Sequence, residues 1–319
     1  MKRETLLYGF LIAGFSALPL FGLSSYSLHV LIMIGIFLIL SQSLNLMMGY
    51  VGLLSLACSG FFGVGAYVSA LLSLHYKLSF IPCFCAAGLG AAALAACVGI
   101  PFLRLSKHSF VVGTLAFLLM CDLVSRNWTS VTRGPMGLPG IPSPRMALPF
   151  LSPITVSSKE AHFYFILVLS CLVLYGFVKL TTSRLGRAFT AVRDDEVLAK
   201  AMGIHTFKVK WLAFILSAFM AAIAGSYYAH YITFVDPLIF DLYYLEVALV
   251  TVIVGGAGTV WGVVAGAFLF TILPEFLRVV GGLRLLIYGV ILFLSILLIP
   301  EGIGGAIRDR LRRRRVAVG

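Results

Sequence analysis

Long apolar runs, separated by short charged or glycine-rich breaks, constrain this chain more than any other feature. About 20 consecutive apolar residues suffice to cross a hydrocarbon core. Ten spans are expected, near 5–22, 26–47, 59–76, 79–103, 108–126, 161–180, 211–232, 242–256, 260–277 and 284–300, with an eight-span count including re-entrant pieces as the alternative. Backbone in lipid must satisfy its hydrogen bonds within each segment. The expected fold class is therefore an all-α polytopic integral membrane protein of eight to ten transmembrane helices with glycine-broken or re-entrant segments. Only 11% of residues are charged, whereas soluble domains carry about 25%.

Placing the N-terminus in the cytoplasm puts 17 of the 24 lysines and arginines on that side, with Lys77, Arg126, Arg133, Arg145, Lys159, Arg278 and Arg284 outside. Basic residues accumulate on the cytoplasmic side of membrane proteins, so the net charge of +12 reads as topology and not as a nucleic-acid footprint. The opening Met-Lys-Arg, followed by an apolar run from Leu6 to Leu23, has no small-residue cleavage site and reads as a retained first span. Residues 1–305 form one transmembrane domain, with an extracytoplasmic loop at 127–160 and a cytoplasmic loop at 183–210. Residues 306–319 are a basic cytoplasmic tail suited to anionic headgroups. Cys58, Cys83, Cys85, Cys97, Cys121 and Cys171 lie in or beside apolar segments without metal-site spacing, and read as small buried hydrophobes.

The 183–210 loop holds the densest mixture of charge before the tail. Asp194, Asp195 and Glu196 crowd the start of a short helix expected over 194–202, Lys200 lies near its end, and Gly203 follows as a left-handed stop. Val197, Leu198, Ala201 and Met202 form an apolar face on that helix, with Ala199 between them. Such a face needs a partner, either lipid headgroups or another protein.

Two glycine-rich apolar stretches, GYVGLLSLACSGFFGVGAYVSALL at 49–72 and GGAGTVWGVVAGAFLF at 255–270, fall in opposite halves of the chain. Glycine at this density permits either close helix packing or a broken backbone lining a cavity. Their placement suggests two halves arranged around a central pathway. Candidate pathway-lining residues are Gln42, Asn45, Ser55, Gly60, Gly63, Glu246, Gly255 and Gly256. Glu246 and Asp122 are the acidic residues clearly inside apolar sequence, where a charge at mid-span costs about 2.5–3.5 kcal/mol. Asp122 has Arg126 one turn away and Glu246 lies four residues into its expected span, so positions near an interface are equally compatible with the pattern. The Pro-rich outer loop is either a functional surface or a rigid connector.

The chain contains no G-x-x-x-x-G-K-[ST], H-E-x-x-H or G-x-S-x-G, and its histidines are dispersed. No catalytic residue, metal or cofactor is expected in it. With few intramembrane carboxylates and no ATP site, a transporter of this kind is passive or borrows its energy, and the 194–203 helix is where an energy source would push.

Four segments in order resemble the LivM-type permease subunits of ATP-binding-cassette importers for branched-chain amino acids. They are GYVGLLSLACSGFFGVGAY, TRGPMGLPGIP, GRAFTAVRDDEVLAKAMGI, and GGAGTVWGVVAGAFLF followed by LPEFLR. The resemblance covers about residues 40–305 and implies a relaxed E-A-A-x-x-x-G motif, with Ala199 and Gly203 in its last alanine and glycine places, that docks on an ATPase. It also implies a homologous second permease (LivH-like), two cytoplasmic ATPases (LivG/LivF-like) that bind the ATP and magnesium, an extracytoplasmic solute-binding protein, and a location in the bacterial inner membrane with both termini cytoplasmic. Leu54 before Ser55-Leu56, Ala57-Cys58 after them, and Arg133 in place of a glycine depart from the family pattern and leave other amino acids, amides or urea open as solutes. Two other classes fit the residues alone: a stand-alone secondary transporter or channel for small neutral solutes, and a membrane enzyme or scaffold whose loop binds lipid.

Overall fold

The computed structural model describes residues 24–146, 154–155, 158–276, 289–290, 293 and 302–305. The expected span at 5–22, nearly all of that at 284–300, and the tail at 306–319 lie outside the described residues.

Most helices begin where a serine or aspartate offers an oxygen to the first free amides, each such cap being worth about 1 kcal/mol. Ser24 caps α1 (Ser25–Asn45), Ser106 caps α4 (Lys107–Asn127) and Ser158 caps α6 (Lys159–Thr182). Ser183 caps α7 (Arg184–Asp194), Asp195 caps α8 (Glu196–Ala201) and Asp241 caps α10 (Leu242–Gly255). The remaining helices are α2 (Cys58–His75), α3 (Phe80–Phe102), the single turn α5 (Thr129–Thr132), α9 (Thr206–Ile232) and α11 (Val260–Phe276). Among the described residues, seven helical segments are long and apolar enough to cross a membrane, and Val260–Leu273 is a shorter apolar helix.

Two departures from regular helix matter. After Asn45, α1 continues as a wider π-helical stretch, Leu46–Val51, and stops at Gly52. With φ at +77°, Gly52 turns the chain so that its own amide and that of Leu53 both return to the Met47 carbonyl. A π stretch inside an apolar helix is uncommon and frequently functional. The second departure follows α9, where the chain does not enter α10 at the surface. Phe234–Val235 (β4) pairs antiparallel with Leu138–Pro139 (β1), and a 3-10 turn, Pro237–Phe240, then carries Phe240 down onto α2. There Phe240 stacks on Tyr67 at 5.7 Å and fills the space that a side chain at Gly63 would need.

The core is built on α9, which packs along α2 and α3 through small residues. A Cβ at Gly225 would strike the Phe62 carbonyl, and one at Gly65 would strike the backbone of Ala222. Small residues let transmembrane helices approach closely where lipid gives no hydrophobic drive. On the other side, α1 packs against α6, α9, α10 and α11. The outward faces of α3, α4 and α6 show Leu89, Leu119, Leu123, Val168 and Leu172, as helices in hydrocarbon require.

The described part of the 127–160 loop is a fitted cap. Ile141 donates its amide to the Thr233 carbonyl, and Leu138 and Ile141 are buried. Buried His230 bridges Pro142 to α2: Nδ1 donates to the Pro142 carbonyl at 2.8 Å, so Nε2 accepts from Ser69 Oγ at 2.9 Å, which in turn accepts from Ser226. A second short ribbon pairs Arg145–Met146 (β2) with Ile154–Thr155 (β3).

Candidate functional site

The charged loop is two helices and not one. Asp194 ends α7, and Asp195 takes the N-cap of α8 by accepting from the amides of Val197 and Leu198 at 2.8 and 3.0 Å. The expected helix over 194–202 therefore starts two residues later, because the Asp195 side chain outcompetes helical continuation across the kink. At the other end Gly203, with φ at +82°, lets the Ile204 amide return to the Ala199 carbonyl.

This short element stands on a braced base. Ala199 is buried underneath, and Glu196 meets Lys210 at 2.6 Å, Thr206 at 3.2 Å and Lys200 at 3.4 Å. Partial burial pushes the Glu196 carboxyl up, but these donors outweigh it and hold the group below its ordinary value of 4.5. Beneath α8, a cleft of about 330 Å³ runs to the α3–α4 turn at Arg104 and Lys107. Val197 (78% exposed), Leu198 (60%) and Met202 (76%) point the other way, with Ala201 beside them. Three large apolar side chains exposed on so small a braced element form a face that either another protein or the lipid surface would cover.

The base reaches the membrane core through Arg193, a residue that sequence reasoning passed over. Its Nη1 donates to the Gly49 carbonyl at 2.8 Å, in the π stretch. Glycines at 49 and 258 meet there, in the turn between α10 and α11, so the two glycine-rich stretches from opposite halves of the sequence come together.

The candidate pathway residues fall into three groups. Gln42 and Asn45 are fully buried, and their amides are spent on that turn. Gln42 Nε2 donates to the Val260 carbonyl at 3.0 Å, Asn45 Nδ2 to Gln42 Oε1 at 3.1 Å and the Thr259 carbonyl at 3.3 Å, and Asn45 Oδ1 accepts from the Gly258 amide at 2.9 Å. Gly255 and Gly256 belong to the same turn, Gly255 lying against Gly262 of α11. Ser55, Gly60 and Gly63 lie on the α2 side, where Gly60 admits Phe117 and Gly63 admits Phe240.

Glu246 stands apart as the one candidate that is exposed. Its neighbour Tyr244 packs on Phe62 at 5.4 Å and on Phe37, near the middle of α1, at 6.1 Å. Because the 233–241 segment turns inward first, the start of α10 packs level with the middle of α1, and Glu246 lies beside that level of the bundle. Asp122 behaves differently. It forms an ion pair with Arg126 at 2.8 Å on the exposed face of α4. A groove of about 470 Å³ between α1, α6 and α11 is lined by Leu31, Ile34, Phe163, Ile166, Trp261 and other apolar side chains, so a charged solute would be left unpaired in it.

Residues 26–299 match the family model described as branched-chain amino acid transport system / permease component. The chain is 31% identical over 313 residues to the high-affinity branched-chain amino acid transport system permease protein LivM of Salmonella typhimurium, covering 92% of this chain and 73% of that protein. Against the Escherichia coli protein of the same name the identity is 32% over 300 residues, covering 88% and 71%. The autoinducer 2 import system permease protein LsrC of Salmonella paratyphi B is 28% identical over 219 residues, covering 66% of this chain and 60% of that protein. No solved structure matches the chain.

Proposed function

The chain belongs to the branched-chain amino acid transport system permease component family, and from that premise we propose that it is the membrane-spanning subunit of an ATP-binding-cassette importer. The solute is a branched-chain amino acid or a related small amino acid or amide. A homologous second permease closes the pathway, an extracytoplasmic binding protein delivers the solute, and two cytoplasmic ATPases bind the ATP and magnesium that this chain has no loop to hold. The protein sits in the bacterial inner membrane with both termini in the cytoplasm. It makes and breaks no bonds.

The observation that carries this reading is α8: Val197, Leu198 and Met202 project from a base locked by Glu196, Lys210 and Asp195. A lipid-surface helix gains from a long apolar face, whereas this one has six residues and presents a compact knob. Movement of the ATPases shifts that knob, and with it the balance between outward-open and inward-open states. Purification in mild detergent from the native membrane should recover a second permease and two P-loop ATPases with this chain. Interface anchors of this kind carry about 2 kcal/mol or more, so Val197→Asp with Leu198→Asp lowers uptake by roughly thirtyfold while the permease stays in the membrane. Normal uptake by the double variant, or ATP-indifferent transport by the purified chain alone, rejects the proposal.

A further inference from the structure

We propose that Arg193 is the positioning residue that carries movement of α8 into the core, by tying the C-terminal end of α7 to the π stretch of α1 and through it to the α10–α11 turn. The inference rests on the importer reading given above and adds the route of coupling. Three features of the junction point to it. Arg193 lies just before α8, and its guanidinium is steadied by Asp194 at 3.0 Å while Nη1 reaches the Gly49 carbonyl at 2.8 Å.

The junction is also cut to fit this one side chain. At Gly52 a Cβ would stand 2.7 Å from Arg193 Cγ, and at Gly258 it would stand 2.9 Å from the Gly49 carbonyl oxygen and 3.0 Å from Arg193 Nη1. A Cβ at Gly49 would collide with Asn45 Oδ1 and the Gly258 amide. Gly52 and Gly258 also hold φ values of +77° and +80°, which other residues reach only with strain.

The third feature is what lies beyond. Asn45 and Gln42, on the last turn of α1 just before the π stretch, are hydrogen-bonded to Gly258, Thr259 and Val260 in the turn that connects α10 to α11, and Gly49 lies directly against Gly258. A pull on Gly49 therefore moves the foot of α10, the helix that bears Glu246. The π stretch is the segment of α1 best able to yield, because its hydrogen bonds are wider and its register can shift to α. Beside the Glu196 bonds that hold α8 to Lys210 and Thr206 of α9, the tie from Arg193 to the π stretch is a charge-assisted bond to a carbonyl, stronger than a neutral one and easily removed by mutation.

The test compares transport stoichiometry in the reconstituted complex for the unaltered chain, Arg193→Ala, Arg193→Lys and Gly258→Ala, after the amount of assembled complex has been equalised. Coupling free energies of the usual size predict that solute moved per ATP falls about tenfold in Arg193→Ala and in Gly258→Ala, with hydrolysis retained. Arg193→Lys, which keeps one donor to the Gly49 carbonyl, recovers part of the ratio. An unchanged ratio in both Arg193→Ala and Gly258→Ala overturns the inference. So does a parallel fall of uptake and hydrolysis per assembled complex in both, since Arg193 is then only a clamp. Failure of the importer reading is seen separately, as solute uptake by the unaltered chain that does not depend on ATP.

Discussion

Single atoms decide how closely this bundle packs, and the glycines facing backbone are where that shows. Gly225 on α9 faces the Phe62 carbonyl of α2 so closely that any Cβ must displace main chain, which cannot swing aside as a side chain would. Gly225→Ala therefore forces apart the two helices at the centre of the core. Overpacking of this kind costs about 1–3 kcal/mol, and the expected result is a lower thermal midpoint in detergent and a smaller yield of folded protein. Gly90 and Gly176, where an added Cβ would meet nothing within 4 Å, provide the control, and alanine at either should leave the midpoint unchanged. Arg133 shows the same logic reversed. It holds a φ of +59°, the left-handed conformation that a glycine reaches without strain.

At the level of elements, α8 is held by charge, and this makes its position sensitive to acid. The Glu196 carboxyl titrates below its ordinary value, so folding strengthens its acidity. Its contribution is fully present above the unfolded carboxylate pKa and is lost as pH falls through the lower folded value. The protection factors of the α8 amides, taken relative to the intrinsic exchange rate at each pH, should therefore be high near neutral pH and fall in acid. In Glu196→Gln protection should be lower at neutral pH and nearly flat across the same range; an unaltered pH profile of protection in that variant would show that another group holds the helix.

The two helices of this loop also show what can be read from residues. The acids before Val197 and the glycine after Met202 marked α8, because caps are local chemistry. The helix α7 went unread, although Ser183 caps it and Gly186, Phe189 and Val192 form its buried side, because its arginines make the stretch look like solvated loop. The spans themselves were legible wherever an apolar run approached 20 residues, and α1–α4, α6 and α9–α11 match expected segments closely. Strands of two residues carry no period at all, so the β1–β4 and β2–β3 ribbons left no trace in the sequence. Composition suggested two glycine-rich halves arranged around a central pathway but not that Gly49 and Gly258 meet, and the residue that reaches their contact, Arg193, looked like one more basic residue in a basic loop.

Across the whole molecule, the depth of Glu246 sets which side must be covered. Its depth depends on Phe240, far along the sequence from α2, filling a slot at Gly63, a contact that no local pattern encodes. The exposed faces of α3, α4 and α6 carry Leu89, Leu119, Leu123, Val168 and Leu172, and the charges on α4 are paired as Asp122–Arg126, whereas α10 shows a carboxylate beside Leu242 and Tyr243. Left against lipid, that charge would cost about 2.5–3.5 kcal/mol. Among the described residues nothing forms a hydrogen bond or ion pair with it, so the economical arrangement places this face toward water or another polypeptide. In a background without the native cysteines, Glu246→Cys within the assembled transporter should react with a hydrophilic thiol reagent or cross-link to the second permease, while Leu172→Cys on α6 should do neither. Glu246→Gln should raise the KM for amino acid uptake about tenfold or more, the loss of one charge-assisted contact, and leave solute-independent ATP hydrolysis in place. Equal inertness of positions 246 and 172 would put α10 against lipid and move the pathway to another face of the bundle.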